Sequence, residues 1–169
     1  MTSLTVWRFP TPLGVDAGEI ALARLQEQHA ITVLDAVALT WMPHEEQPQV
    51  RRLRHDTARA AAVGGFWGAV VGMVVLAPVA GAAVGAAGAS LVDRLRRTGI
   101  DDAFVDGVRD QLGPGTSALF VLSRDADPEQ VRPLLARTEA TLIQATLDDR
   151  VAAELRDFLE PPRPAPRED

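Results

Sequence analysis

The sequence predicts an α+β fold, a ferredoxin-like sandwich of two βαβ halves with an inserted glycine-zipper helical hairpin. Three observations lead there. The order strand, helix, strand occurs twice, and 33 consecutive residues between the two occurrences, Ala60 to Val92, carry no charge. Glycines notch that run at regular intervals. The expected division is residues 1–50 for the first half, 51–98 for the hairpin, 99–160 for the second half and 161–169 for a disordered tail. The four main strands should form an antiparallel sheet with helices on one face.

In the first half, Leu4 to Phe9 alternates and is rich in strand formers, and the turn set Pro10-Thr11-Pro12-Leu13-Gly14 follows. A helix from about Asp16 to His29 places Ala17, Ala21, Leu22 and Leu25 on one face. Ile31 to Trp41 reads as a strand, and the stretch around Pro43 and Pro48 as a polar loop. In the second half, Asp101 or Asp102 caps a short helix burying Phe104, Val105, Val108 and Leu112, which stops at Gly113-Pro114-Gly115. Ser117 to Ser123 is a strand. Asp127-Pro128-Glu129-Gln130 starts a helix, with an N-cap, proline at the first helical position and glutamine placed for a capping box. That helix should bury Val131, Leu134 and Leu135. Thr141 to Leu147 is the last strand, followed by a helix from about Asp149 to Glu160. Pro161 to Asp169 is a solvated proline-rich tail.

Composition excludes several chemistries. There is no Cys, so disulfides, thiol nucleophiles and cysteine metal sites are absent. All 17 basic residues are Arg, which removes Schiff-base and Walker lysine chemistry. A net charge of −6 argues against nucleic acid as a partner. The N-terminus shows no basic, apolar and cleavage-site succession, so export is not expected.

The uncharged run is too long for one membrane-spanning helix, at about 50 Å against roughly 30 Å of hydrocarbon. Ala77-Pro78 near its midpoint predicts the turn of a hairpin. Gly64, Gly68 and Gly72 lie four apart in the first arm, as do Gly81, Gly85 and Ala89 in the second. Each set makes a small-residue ridge suited to close helix packing and self-association. Phe66 and Trp67 read as membrane anchors. Arg51, Arg52, Arg54 and Arg59 before the run, and Arg94, Arg96 and Arg97 after it, suit contact with anionic headgroups. Leucine at Gly68 or Gly85 should block close approach and leave the sheet folded.

Gly65-Phe66-Trp67-Gly68, Leu76-Ala77-Pro78 and Gly81-Ala82-Ala83-Val84-Gly85-Ala86 resemble the centre of a bacterial family known as domain of unknown function 1269. The likeness continues through Gly99 to Phe104 and Gly113 to Leu122, and covers roughly Leu4 to Leu159. The complete lack of Lys and the Pro/Arg tail depart from the family pattern. The resemblance implies a membrane protein, in some members linked to stress or low temperature, and brings no activity with it.

Candidate chemistry is sparse. His29, His44 and His55 lack metal-ligand spacing, and Asp101-Asp102 serves better as a helix cap than as a catalytic pair. Ser90 and Ser123 have no accompanying base motif. The expectation is a non-enzymatic protein without cofactor or metal, held at the inner (cytoplasmic) membrane by a self-associating hairpin. The lipid bilayer and further copies of the chain would be its partners. The alternative is a cytoplasmic assembly, a ring, filament or shell, with hairpins packed between subunits. A third reading is a small-ligand sensor, resting on fold analogy.

Overall fold

A computed structural model describes residues 2–53, 67, 68, 70–72, 74, 75, 100 and 102–146. It is mixed α+β: strands β1 (Thr2–Phe9), β2 (Thr32–Thr40), β3 (Gln49–Arg52), β4 (Ser117–Arg124) and β5 (Thr141–Thr146) form one sheet in the order β3-β2-β4-β1-β5. Every neighbouring pair is antiparallel. Helices α1 (Gly14–Glu27), α2 (Asp102–Arg109) and α3 (Pro128–Arg137) join them, and residues 67, 68, 70–72, 74 and 75 are helical as well.

The helices cover both faces of the sheet, which corrects the expectation of a one-sided sandwich. Leu4, Val6, Val37, Leu39, Phe120 and Leu122 meet Trp67, Val70, Val74, Ile100 and the α2 residues Phe104, Val105 and Val108 on one face. Trp7, Phe9, Ala36, Ala38, Leu119 and Val121 meet Val15, Ala21, Leu22 and Leu25 of α1 and Val131 of α3 on the other. The physical reason lies in β4. Its run Ala118-Leu-Phe-Val-Leu122 is apolar at every position, the pattern of a strand covered twice. The second correction is β3 itself. The end of the expected polar loop, with Arg51 and Arg52, pairs with Val37 to Thr40 as a fifth, edge strand. Polar edge residues are how a sheet discourages further pairing.

Local chemistry fixes the joints. α1 begins without a capping side chain of its own, and Ser117 of β4 supplies one. The Val15 N–H donates to Ser117 Oγ at 3.0 Å, and the hydroxyl donates to the Thr11 carbonyl at 2.7 Å. Gly18, not Ala17, faces the core, because a Cβ there would overlap the buried Phe9 ring. α1 ends in a Schellman arrangement: the Ala30 N–H reaches the Leu25 carbonyl and the His29 N–H reaches Gln26, with His29 left-handed at φ 56°. Gly115, at φ 88°, turns the chain into β4, where its N–H meets the Trp41 carbonyl at 2.8 Å.

The start of α3 matches the sequence reading with one change. Asp127 Oδ1 accepts the Glu129 N–H at 3.0 Å. The Gln130 amide reaches the Asp127 carboxylate at 2.8 Å instead of the Asp127 backbone N–H, which donates to the Ala30 carbonyl. Val131 is buried and Leu134 partly so; the Leu135 side chain lies outside the described residues. So do Asp101, Leu147, the expected last helix and the tail.

Candidate functional site

The one charged residue of β2, Asp35, is 2% exposed. A β-bulge places it: the register with β4 shifts between Val33 and Asp35, which turns Leu34 and Asp35 toward the same face. The carboxylate is fully engaged. Oδ1 accepts the Ala36 N–H at 2.9 Å, and Oδ2 accepts both the Trp67 indole N–H at 2.8 Å and Arg52 Nη2 at 2.9 Å. Arg52 comes from β3 opposite Val37, so its charge balances that of Asp35 within one buried cluster. Its Nε is buried without a partner.

Trp67 is 3% exposed and packs edge-on against Phe120, with ring centroids 6.5 Å apart. Val70 and Val74 follow it inward at helical spacing. At the far end, Arg109 of α2 donates from Nε to the Val74 carbonyl at 3.3 Å. The flank of this helical segment beside the buried face borders an open groove of about 450 Å³, which Trp67 also lines and whose other wall is the β2–β3 edge. Gly68, Val71, Gly72 and Val75 form the helical wall, facing Val37, Pro48 and Val50. Among the described residues, a Cβ at Gly68 or Gly72 would meet nothing within 4 Å. The polar side chains lining the groove are Gln47 and Arg52, so its chemistry is that of an apolar packing surface with few hydrogen-bonding groups.

The residues expected to act at a membrane are thus placed as follows. Trp67 corrects the reading as a lipid anchor: its ring is in the sheet core, because its N–H finds a buried acceptor there. Arg51 and Arg52, expected before the hairpin as headgroup contacts, sit in β3 with carboxylate partners. Arg51 pairs with Glu19 of α1, and lies 3.9 Å from Asp16. Gly68 and Gly72 line the groove. Gly64, Phe66, Ala77, Pro78, Gly81, Gly85, Ala89, Arg54, Arg59, Arg94, Arg96 and Arg97 lie outside the described residues. Among the described residues no helix is long and apolar enough to cross a membrane. Sequence reasoning missed Asp35, although a lone carboxylate inside Val33-Leu-Asp-Ala-Val37 is a signal of a buried polar partner.

A family model described as "Protein of unknown function (DUF1269)" matches residues 61–160, more than half of the chain. No curated protein and no solved structure matches. The matched span carries the groove helix, α2, β4, α3 and β5, and the chain belongs to the DUF1269 family.

Proposed function

We propose that the protein is a non-enzymatic, self-associating module, and that the groove beside Gly68 and Gly72 is where a second copy packs. The observation that carries this reading is the two-faced helix. Trp67, Val70 and Val74 are buried on the sheet, while Gly68, Gly72 and the half-buried Val71 and Val75 form an apolar stripe along the groove, with no described residue within 4 Å of a Cβ at either glycine. Glycine within a helix costs about 1 kcal/mol relative to alanine, a loss that close backbone packing can offset. The stripe holds both notches and valine knobs, so it can be complementary to itself across a two-fold axis.

The sheet reads as ferredoxin-like. The order β2-β4-β1-β5, with α1 between β1 and β2 and α3 between β4 and β5, supports two interleaved βαβ units, to which β3 adds an edge. On this reading the hairpin region adds the second helical layer and presents the packing stripe.

Membrane association is the second reading. It is favoured by the unbroken uncharged run from Ala60 to Val92 and the arginines that flank it. Fractionation of expressing cells with a carbonate wash, followed by sizing, separates the two. A discrete, detergent-independent multimer in the supernatant supports the assembly. Pelleting that resists carbonate and yields to detergent supports membrane insertion. A single-chain mass in the supernatant contradicts both.

A further inference from the structure

We infer that Asp35 is a specificity-determining residue that sets the rotation of the groove helix, and so decides which apolar face it shows to a partner. Every residue from Trp67 to Val75 is uncharged. Valines stand on two neighbouring faces, Val70 and Val74 on one and Val71 and Val75 on the other, so the hydrophobic effect alone discriminates poorly between settings that bury either pair. A buried hydrogen bond is directional and selects strongly. The Trp67 indole N–H and Asp35 Oδ2 make that bond at 2.8 Å, between residues 3% and 2% exposed. Turning the helix by one residue would take the indole N–H from this acceptor and remove one of the three hydrogen bonds that hold the buried carboxylate.

The ion pair with Arg52 fits the same role. Asp35 is buried and Arg52 half-buried; an ion pair withdrawn from water contributes little net stability compared with well-packed apolar residues, and its best-attested use is to fix one arrangement among several. Asp35 occupies a bulge that aims it at the helix, and Arg52 neutralises it from the edge strand. With Trp67 held inward, Gly68, Val71, Gly72 and Val75 face the groove. The consequence for assembly rests on the self-association reading above; the rotation itself does not.

The chain has no cysteine, so a single introduced thiol reports alone. Val70→Cys reports the buried face and Val121→Cys, in β4, reports the sheet; both positions are 0% exposed. Labelling is compared in the otherwise native full chain and in an Asp35→Leu/Arg52→Leu background, which removes both charges together. The inference predicts that labelling at Val70→Cys rises about 10- to 100-fold in that background, the range for losing a hydrogen bond to a charged group. Labelling at Val121→Cys should stay slow. Should the double variant label at both sites, Trp67→Phe decides: it keeps the ion pair and an aromatic ring and removes the N–H donor, and labelling at Val121→Cys in that variant shows whether the smaller ring has loosened the sheet as well. Unchanged labelling at Val70→Cys in a folded variant overturns the inference. Sizing run in parallel reads assembly independently: a multimer that persists after the helix has turned contradicts the packing stripe, not the role of Asp35.

Discussion

At the scale of single residues, the structure separates glycines that are required from glycines that are merely present. Gly18 faces the Phe9 ring, which is fully buried, so Gly18→Ala forces atoms together and should destabilise by about 1–3 kcal/mol. Among the described residues, nothing lies within 4 Å of where a Cβ would stand at Gly107 in α2, so Gly107→Ala should stabilise by about 0.5–1 kcal/mol. Chemical denaturation of the two variants gives opposite shifts in midpoint if this packing is right. His29 supplies a third case. It holds the left-handed position of the α1 C-terminus at φ 56°, where a side chain costs about 1 kcal/mol. His29→Gly should therefore raise Tm by roughly 2–4 °C in a scanning calorimeter. None of these signs was legible in the sequence: Ala17 and Gly18 compete for the same helical face, and only the Phe9 ring decides between them.

The elements were legible in proportion to how much local chemistry they carry. α3 is the clearest, since Asp127, Pro128 and Gln130 mark its start by residue type alone. The Gln130 amide, with the Glu129 N–H behind it, holds the Asp127 carboxyl below its ordinary range. A lowered folded-state value means that the folded chain binds fewer protons than the unfolded one as pH falls through the ordinary aspartate value of about 3.9. The cap's contribution is present above that value and is lost as pH drops through the lower folded one. Asp127→Asn keeps a capping oxygen and cannot titrate, so its Tm should fall less than that of the native chain between pH 5 and pH 2 (about the window of aspartate titration). Equal losses of Tm would place the acid sensitivity elsewhere. β3 was the least legible element. Gln49-Val-Arg-Arg52 is short and mostly polar, and what makes it a strand is the open edge of β2, which no local pattern reveals. The β2 bulge was hidden likewise, and with it the buried setting of Asp35.

For the whole molecule, the continuous apolar run in β4 already implied a sheet covered on both faces, and the helix that covers the second face comes from the uncharged segment. The leading expectation of a membrane hairpin there rests on length and lack of charge, properties shared by the alternative, helices packed between protein surfaces. What the sequence does not reveal at Trp67 is the acceptor of its N–H, a partner 32 residues away. Gly68 and Gly72 border a groove against β3, a setting that the spacing of the glycines does not reveal.

The central claim, that the chain assembles through this stripe, is tested most directly by the detergent-free mass of the native chain and of Gly68→Leu, measured by light scattering at matched concentration. Among the described residues nothing stands against position 68, so the leucine should leave the sheet folded while filling the notch a second copy needs. The account predicts a discrete multimer for the native chain and a shift toward single chains for Gly68→Leu, with unchanged circular dichroism. A native chain of single-copy mass, or a multimer indifferent to leucine at 68, would contradict it.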